Sequence, residues 1–190
     1  MNARSPLIPT PEAAAYGPLP APAAHTAAEL AALLRLLAEH RRPPLHSVTI
    51  GHSRDDASRA AATAFADAWR AAGRTVLAVV DWPEQAASWL RPAHRLTDPG
   101  PDALVIAAAP LGWAQLARRL ARSTPWRPER TFGFASLAEP AATALAGPGV
   151  LDGVRGAGPD GDTWRIGPFS VRCESTRMTR SVAGYTLSGT

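Results

Sequence analysis

The chain contains no lysine: all 20 of its basic residues are arginine. A G-x-x-x-x-G-K-[ST] phosphate loop is therefore excluded, because that motif needs its lysine to reach the terminal phosphates. There is one cysteine, Cys173. It excludes an intramolecular disulfide and any multi-cysteine zinc site, and it falls in a predicted strand between two charged residues, as a small structural side chain. No run of about 18 apolar residues is present that could span a membrane. The first residues, Met1-Asn2-Ala3-Arg4-Ser5-Pro6, lack a basic segment followed by an apolar core. Prolines at 6, 9, 11, 18, 20 and 22 interrupt every candidate stretch, so no secretion leader is expected. These absences lead to the expectation of a cytoplasmic location with no membrane partner. The histidines at 25, 40, 46, 52 and 94 show no H-x-x-x-H spacing, so neither a metal nor a cofactor is expected. The formal net charge is +4, but the arginines are scattered, with no interleaved aromatic and basic stripe, and no nucleic-acid partner is expected.

With 190 residues there is room for one domain with a real core, or one domain with a tail. Residues 48–134 organise it. Four apolar runs recur there: Ser47-Val48-Thr49-Ile50-Gly51, Thr75-Val76-Leu77-Ala78-Val79-Val80, Ala103-Leu104-Val105-Ile106-Ala107-Ala108-Ala109 and Arg130-Thr131-Phe132-Gly133-Phe134. A helical pattern follows each, weakest after the fourth. Short continuous apolar runs between amphipathic helices indicate strands buried on both faces. The predicted fold is α/β: an open parallel sheet of four or five strands in flavodoxin-like or Rossmann-like order, flanked by helices. The fifth strand is expected at 150–154 if that segment is regular.

Around this unit the chain divides into four parts. Residues 1–25 are rich in proline and alanine without periodicity and read as a flexible arm. Residues 26–42 carry an N-terminal helix. Thr26-x-x-Glu29 is a capping box, and Leu30, Leu33, Leu34 and Leu37 form an i, i+3, i+4, i+7 stripe. That stripe either packs on the domain or forms a homodimer interface. Arg41 and Arg42 suit the helix C-terminus, and Pro43-Pro44 stop it. Residues 45–160 form the α/β domain. Within it Ser53 is the expected cap of a helix ending at Ala72, with Gly73 after it. A further helix begins near Glu84 and carries Ala87 and Leu90, and Pro92 is expected to end or kink it. Arg118, Arg119 and Arg122 lie on one side of the helix 111–122, as a solvated face or an anion-binding ridge. Residues 161–190 alternate apolar and polar side chains at 164–166, 169–173 and 182–187, with breaks at 167–168 and 175–181. This reads as a small C-terminal antiparallel β-meander.

In open α/β sheets ligands lie outside the carboxyl ends of the strands. That rule selects His52, Ser53, Arg54 and Asp55 after the first strand, and Asp81 and Trp82 after the second. It selects Pro110 and Trp113 after the third, and Ser136 and Glu139 after the fourth. Trp69 and Trp113 also fit core faces of helices, and Trp82 could wall a cleft or pack in the core. No G-x-G-x-x-G follows the first strand, and no G-x-S-x-G elbow occurs. Gly51-His52-Ser53 has the residue types of nucleophilic chemistry, but adjacency alone does not make a nucleophile–base pair.

The order of elements from 48 to 156 resembles one lobe of a type I solute-binding protein, the branched-chain amino-acid-binding family associated with ABC importers. The resemblance is carried by Ser53-Arg54-Asp55-Asp56-Ala57 leading into a helix that ends Ala71-Ala72-Gly73, and by Pro101-Asp102-Ala103-Leu104-Val105-Ile106, which looks like the family's P-D-A-V strand. Phe132-Gly133-Phe134-Ala135-Ser136-Leu137 followed by Gly149-Val150-Leu151-Asp152-Gly153-Val154 is similar to its late strand and turn, and 163–187 to its closing β segment. The resemblance implies a non-catalytic module that binds a small molecule or a protein partner. A complete receptor has two lobes and is exported, and this chain has length for one lobe.

Three functions remain in view. The first is the non-catalytic binding module, with a site at His52, Ser53, Asp55, Asp81, Trp82, Trp113, Ser136 and Glu139. The second is a small hydrolase-like α/β enzyme using Ser53 and His52 with a strand-end carboxylate. The third is a protein-interaction adaptor acting through the N-terminal arm and helix.

Overall fold

The computed structural model describes residues 8–40, 44–84, 86, 88–168 and 170–174. The expectations for Arg41, Arg42, Pro43, Ala87, Phe169 and the segment 175–190 lie outside them.

Strands β1 (Ser47–Ser53), β2 (Thr75–Trp82), β3 (Ala103–Ala107), β4 (Thr131–Gly133) and β5 (Arg155–Ala157) pair in parallel, in the flavodoxin-like order β2-β1-β3-β4-β5. Strands β6 (Thr163–Gly167) and β7 (Ser170–Glu174) continue the same sheet in antiparallel pairing. Among the described residues the strands thus form one mixed sheet of seven. The predicted fifth strand is shifted: 150–154 is turn, and the pairing falls on Arg155–Ala157.

The helices are α1 (Thr10–Ala14), α2 (Ala27–Ala38), α3 (Asp56–Ala71), α4 (Leu90–Thr97), α5 (Pro110–Ser123) and α6 (Pro140–Ala146). Alternation along the strands sorts the core into two faces. Val48, Ile50, Val105 and Phe132 meet Phe65 and Trp69 of α3 and the leucines of α2. Val80, Trp82, Leu104 and Ile106 meet Leu96 of α4 and Trp113, Leu116 and Leu120 of α5. Every residue of β3 is buried, as its continuous apolar run requires of a central strand.

The capping box at α2 forms both of its bonds: Glu29 N–H donates to Thr26 Oγ1 at 3.0 Å, and Thr26 N–H to Glu29 Oε2 at 3.4 Å. Leu33 and Leu37 are fully buried, and Leu30 and Leu34 pack on the same cluster. The stripe packs on the chain's own core, the first of the two uses considered above.

Three local expectations need correction. The cap of α3 is Asp55, whose carboxylate accepts from Ser58 N–H; Ser53 is still strand. The helix after β2 starts at Leu90, not near Glu84, and Pro92 lies in its first turn. A missing N–H is harmless there because that donor has no partner within the helix. The arm is not simply coil over its described part: α1 forms, and Ile8 is buried in the core beside α5.

β2 is one edge of the sheet among the described residues. Its register with β1 slips between Val48/Val76 and Thr49/Ala78, a bulge at Leu77. The bulge leaves Leu77 and Val79 as exposed apolar residues. Such irregularity twists an edge strand and blunts its pairing with another chain.

Candidate ligand crevice at the strand ends

The chain leaves β1 through α3 on one face of the sheet and leaves β3 through α5 on the other. This divergence opens a crevice at their carboxyl ends. Ser53, the last residue of β1, ties the crevice floor together. Its hydroxyl donates to Asp55 Oδ2 at 2.5 Å and accepts from Ala109 N–H at 2.9 Å, with Ser58 Oγ 3.1 Å away. Burial pushes the Asp55 carboxyl up, but its bonds from Ser53 and Ser58 outweigh burial and hold it below the usual aspartate range.

Glu84, just beyond β2, reaches across to the start of α5, where Gly112 N–H donates to its Oε1 at 2.6 Å. Its Oε2 is enclosed without a hydrogen-bond partner among the described residues. Burial raises the Glu84 carboxyl above its ordinary range; the Gly112 bond opposes this, and the nearby Asp55 carboxylate adds to it. Glu29 behaves alike. Burial raises it, against bonds from Ala135 N–H at 2.6 Å and Thr26 N–H. Glu139 accepts from Ala141 N–H at 3.3 Å at the start of α6.

The arm lies over these strand ends. Glu12 of α1 bonds Arg118 of α5 at 2.6 Å. Pro20, Ala21 and Pro22 form a wall common to two cavities. The larger, about 700 Å³, lies between the arm and Ser53, Arg54, Asp55, Glu84, Pro110 and Leu111. The smaller, about 370 Å³, is bounded by Glu29, Ser58, Phe134, Ser136 and Glu139.

The residues selected from the sequence therefore separate. Ser53 and Asp55 line the larger cavity, and Ser136 and Glu139 the smaller. Asp81 stands at the outer rim, where Arg54 Nε donates to it at 2.6 Å; this bond, more than burial opposes it, holds the carboxyl low. His52 places Nδ1 2.8 Å from the Ser53 carbonyl oxygen, a backbone contact, and pairs with no hydroxyl among the described residues. Trp82 and Trp113 are fully buried in the core beside α5 and line neither cavity. They are corrected out of the rim: Trp82 fills the space under Gly51, where an added Cβ would lie 2.7 Å from its ring. Sequence reasoning missed Glu84 and Glu29 as site groups and the arm as a wall. The signal for Glu84 was its place directly after the strand-end Asp81-Trp82-Pro83.

No protein-family model matches the sequence, and no curated protein matches it. Solved structures do match in fold. A protein described as a branched-chain amino acid ABC transporter from Rhodospirillum rubrum aligns with a TM-score of 0.57 and 24% identity, over 68% of this chain and 36% of its own. A substrate-binding periplasmic protein from Ralstonia solanacearum gives 0.58 and 16%, over 70% and 37%. A leucine-binding protein from Thermotoga maritima gives 0.56 and 14%, over 67% and 35%. The chain spans little more than a third of each and has the fold of one lobe of a type I solute-binding protein. The expectation of a cytoplasmic location is overturned by these comparisons, since the proteins that share the fold are periplasmic solute-binding proteins.

Proposed function

We propose that the chain is a non-catalytic small-molecule-binding module of the solute-binding kind, with its site in the larger cavity at the ends of β1 and β3. The observation that carries this reading is the cavity itself. Its volume of about 700 Å³ falls in the range of small-molecule sites, roughly 300–1,000 Å³. It combines apolar walls from Leu19, Pro110 and Leu111 with a few convergent polar groups, Ser53, Asp55 and Glu84. It also lies where open α/β sheets hold ligands. The relatives' printed ligands, leucine and branched-chain amino acids, belong in the first set of compounds to try.

The enzyme reading is disfavoured by geometry. Ser53 is 2% exposed, its hydroxyl is bonded to Asp55 and Ala109, and His52 faces a backbone carbonyl rather than that hydroxyl. A nucleophile needs a base within hydrogen-bond reach and a path for substrate. An adaptor reading would use the arm, but its described residues are folded onto the body.

The test is a thermal-shift screen of the full chain against amino acids, small amines, carboxylates, neutral alcohols, sugar phosphates and nucleotides. A ligand of the native state raises the melting temperature. Leu111→Trp, which fills the cavity, is expected to remove any shift. A shift that persists in Leu111→Trp, or a screen in which no compound shifts the protein, overturns the reading.

A further inference from the structure

The charges around the larger cavity carry an inference about what it admits, resting on the reading of that cavity as the ligand site. Helix starts commonly hold anions, because their free N–H groups and dipole favour negative charge. Both long helices that open onto this crevice already hold one of the chain's own carboxyl groups. Asp55 accepts from Ser58 N–H at 2.8 Å at the start of α3, and Glu84 from Gly112 N–H at 2.6 Å at the start of α5. A ligand carboxylate or phosphate arriving there would displace or face a carboxyl group.

The cations do not reverse this balance. Arg54 is the one arginine on the cavity wall among the described residues, and its guanidinium is bonded to Asp81 at 2.6 Å. Asp55 forms no ion pair with an arginine or histidine among the described residues. Its carboxylate is held ionised by the neutral donors Ser53 and Ser58 at the start of α3, and is therefore a negative charge on the wall with no counter-ion among the described residues. The remaining wall is apolar and comes largely from the arm, including Leu19, Pro20 and Pro22.

We propose that the cavity between the N-terminal arm and the ends of β1 and β3 binds an apolar molecule carrying one ammonium group, with Asp55 as the partner of that group, and that it rejects the matching anion. The apolar body lies against the arm and Leu111. The ammonium supplies the opposite charge that Asp55 lacks.

Three compounds of one carbon skeleton decide the matter by isothermal titration of the full chain: isopentylamine, isovalerate and isopentanol. The amine is expected to bind about ten-fold or more tighter than the acid and the alcohol, the size of one charge-assisted hydrogen bond. Asp55→Asn keeps a good helix cap through its amide oxygen, removes the charge, and turns the acceptor of the Ser53 hydroxyl into an NH2 donor, so that the Ser53 hydroxyl must turn to Ser58 Oγ. It is expected to weaken the amine by about ten-fold more than it weakens the alcohol. Circular dichroism checks that the variant is folded; should it not fold, the wild-type ranking of the three compounds and its weakening by salt decide alone. Isovalerate binding as tightly as the amine, or alcohol and amine binding equally, overturns the ammonium assignment but leaves the cavity as a ligand site. Binding of none of the three overturns the assignment as well. Binding that survives Leu111→Trp overturns the site itself.

Discussion

Glu84 shows how a single side chain can hold two elements together at a cost that depends on pH. One oxygen accepts the Gly112 N–H and completes the start of α5, while the other is enclosed without a partner among the described residues. Burial raises its pKa, so the folded state holds the proton more tightly than the unfolded chain. The stability this contributes is fully present below the ordinary glutamate range, about 4.3, and is lost as pH rises through the raised folded value. Glu84→Gln keeps an acceptor for Gly112 but cannot ionise. Melting temperatures of both proteins between about pH 4 and pH 8 should show the variant gaining on the wild type as pH increases. A difference that is constant with pH, or that moves the other way, would show that Glu84 is not destabilised by ionisation. Asp55, Asp81 and Asp102 act in the opposite direction, since their carboxyls are held low and their contribution is lost as pH falls. The comparison with the variant cancels the contributions of Asp81 and Asp102, and leaves Glu84 together with its coupling to Asp55. The sequence places Glu84 directly after a strand end, but it read there only as the start of a helix, and its bond to Gly112 was not legible. Its partner lies 28 residues away, and a contact across two strand ends leaves no local periodicity. Ser53 and Asp55 were legible as strand-end polar residues, but not which of them caps α3.

At the scale of elements, legibility followed how local the cause is. The capping box of α2 is set by residues three apart and formed as read. Gly73 was expected after α3, and its φ of +72° is a backbone state that favours glycine. The arm was the opposite case. A five-residue helix such as α1 has no stability of its own, and its sequence reads as coil. It is fixed from outside by burial of Ile8 and by the bond from Glu12 to Arg118, across 106 positions. The ion pair is partly exposed, with side chains 23% and 42% accessible, so its loss should cost about 1 kcal/mol or less. Glu12→Gln should therefore change the melting temperature little but release the arm. The readout is limited chymotrypsin cleavage at Tyr16, which is 46% exposed in the helix-to-loop turn. Faster cleavage at Tyr16, with the body still resistant, is the expected result. An unchanged rate would mean that Ile8 and the proline wall hold the arm without the ion pair.

At the scale of the whole molecule, the parallel order of the first strands followed from their buried apolar runs, whereas the union of domain and tail did not. Residues 161–190 alternate like a separate antiparallel unit, and sequence period alone cannot say whether such a unit shares an edge with the sheet before it. The structure joins them through β5 and β6. Gly156 makes the joint possible: an added Cβ there would collide with the Gly133 carbonyl oxygen and the Trp164 ring. Trp164 donates its indole N–H to the Ala157 carbonyl at 3.0 Å. Trp164 and Ile166 are buried in the same core as Trp113 and Leu145, and Ile166 exchanges backbone bonds with Gly153 and Val154. Losing an isoleucine and a tryptophan from a core costs about 2–5 and 3–5 kcal/mol, against a total stability of roughly 5–15 kcal/mol for a domain. A chain ending at Gly161 should accordingly lose its cooperative melting transition, and the milder Ile166→Ala should lower stability by about 2–5 kcal/mol in urea while keeping a single transition. If the shortened chain instead melts sharply within a few degrees of the full one, β6 is an appendage and the core closes without it. In the sheet β4 and β5 stand between β6 and β3, at whose end the candidate crevice opens, so Ile166→Ala should weaken the fold without changing the ranking of amine, acid and alcohol.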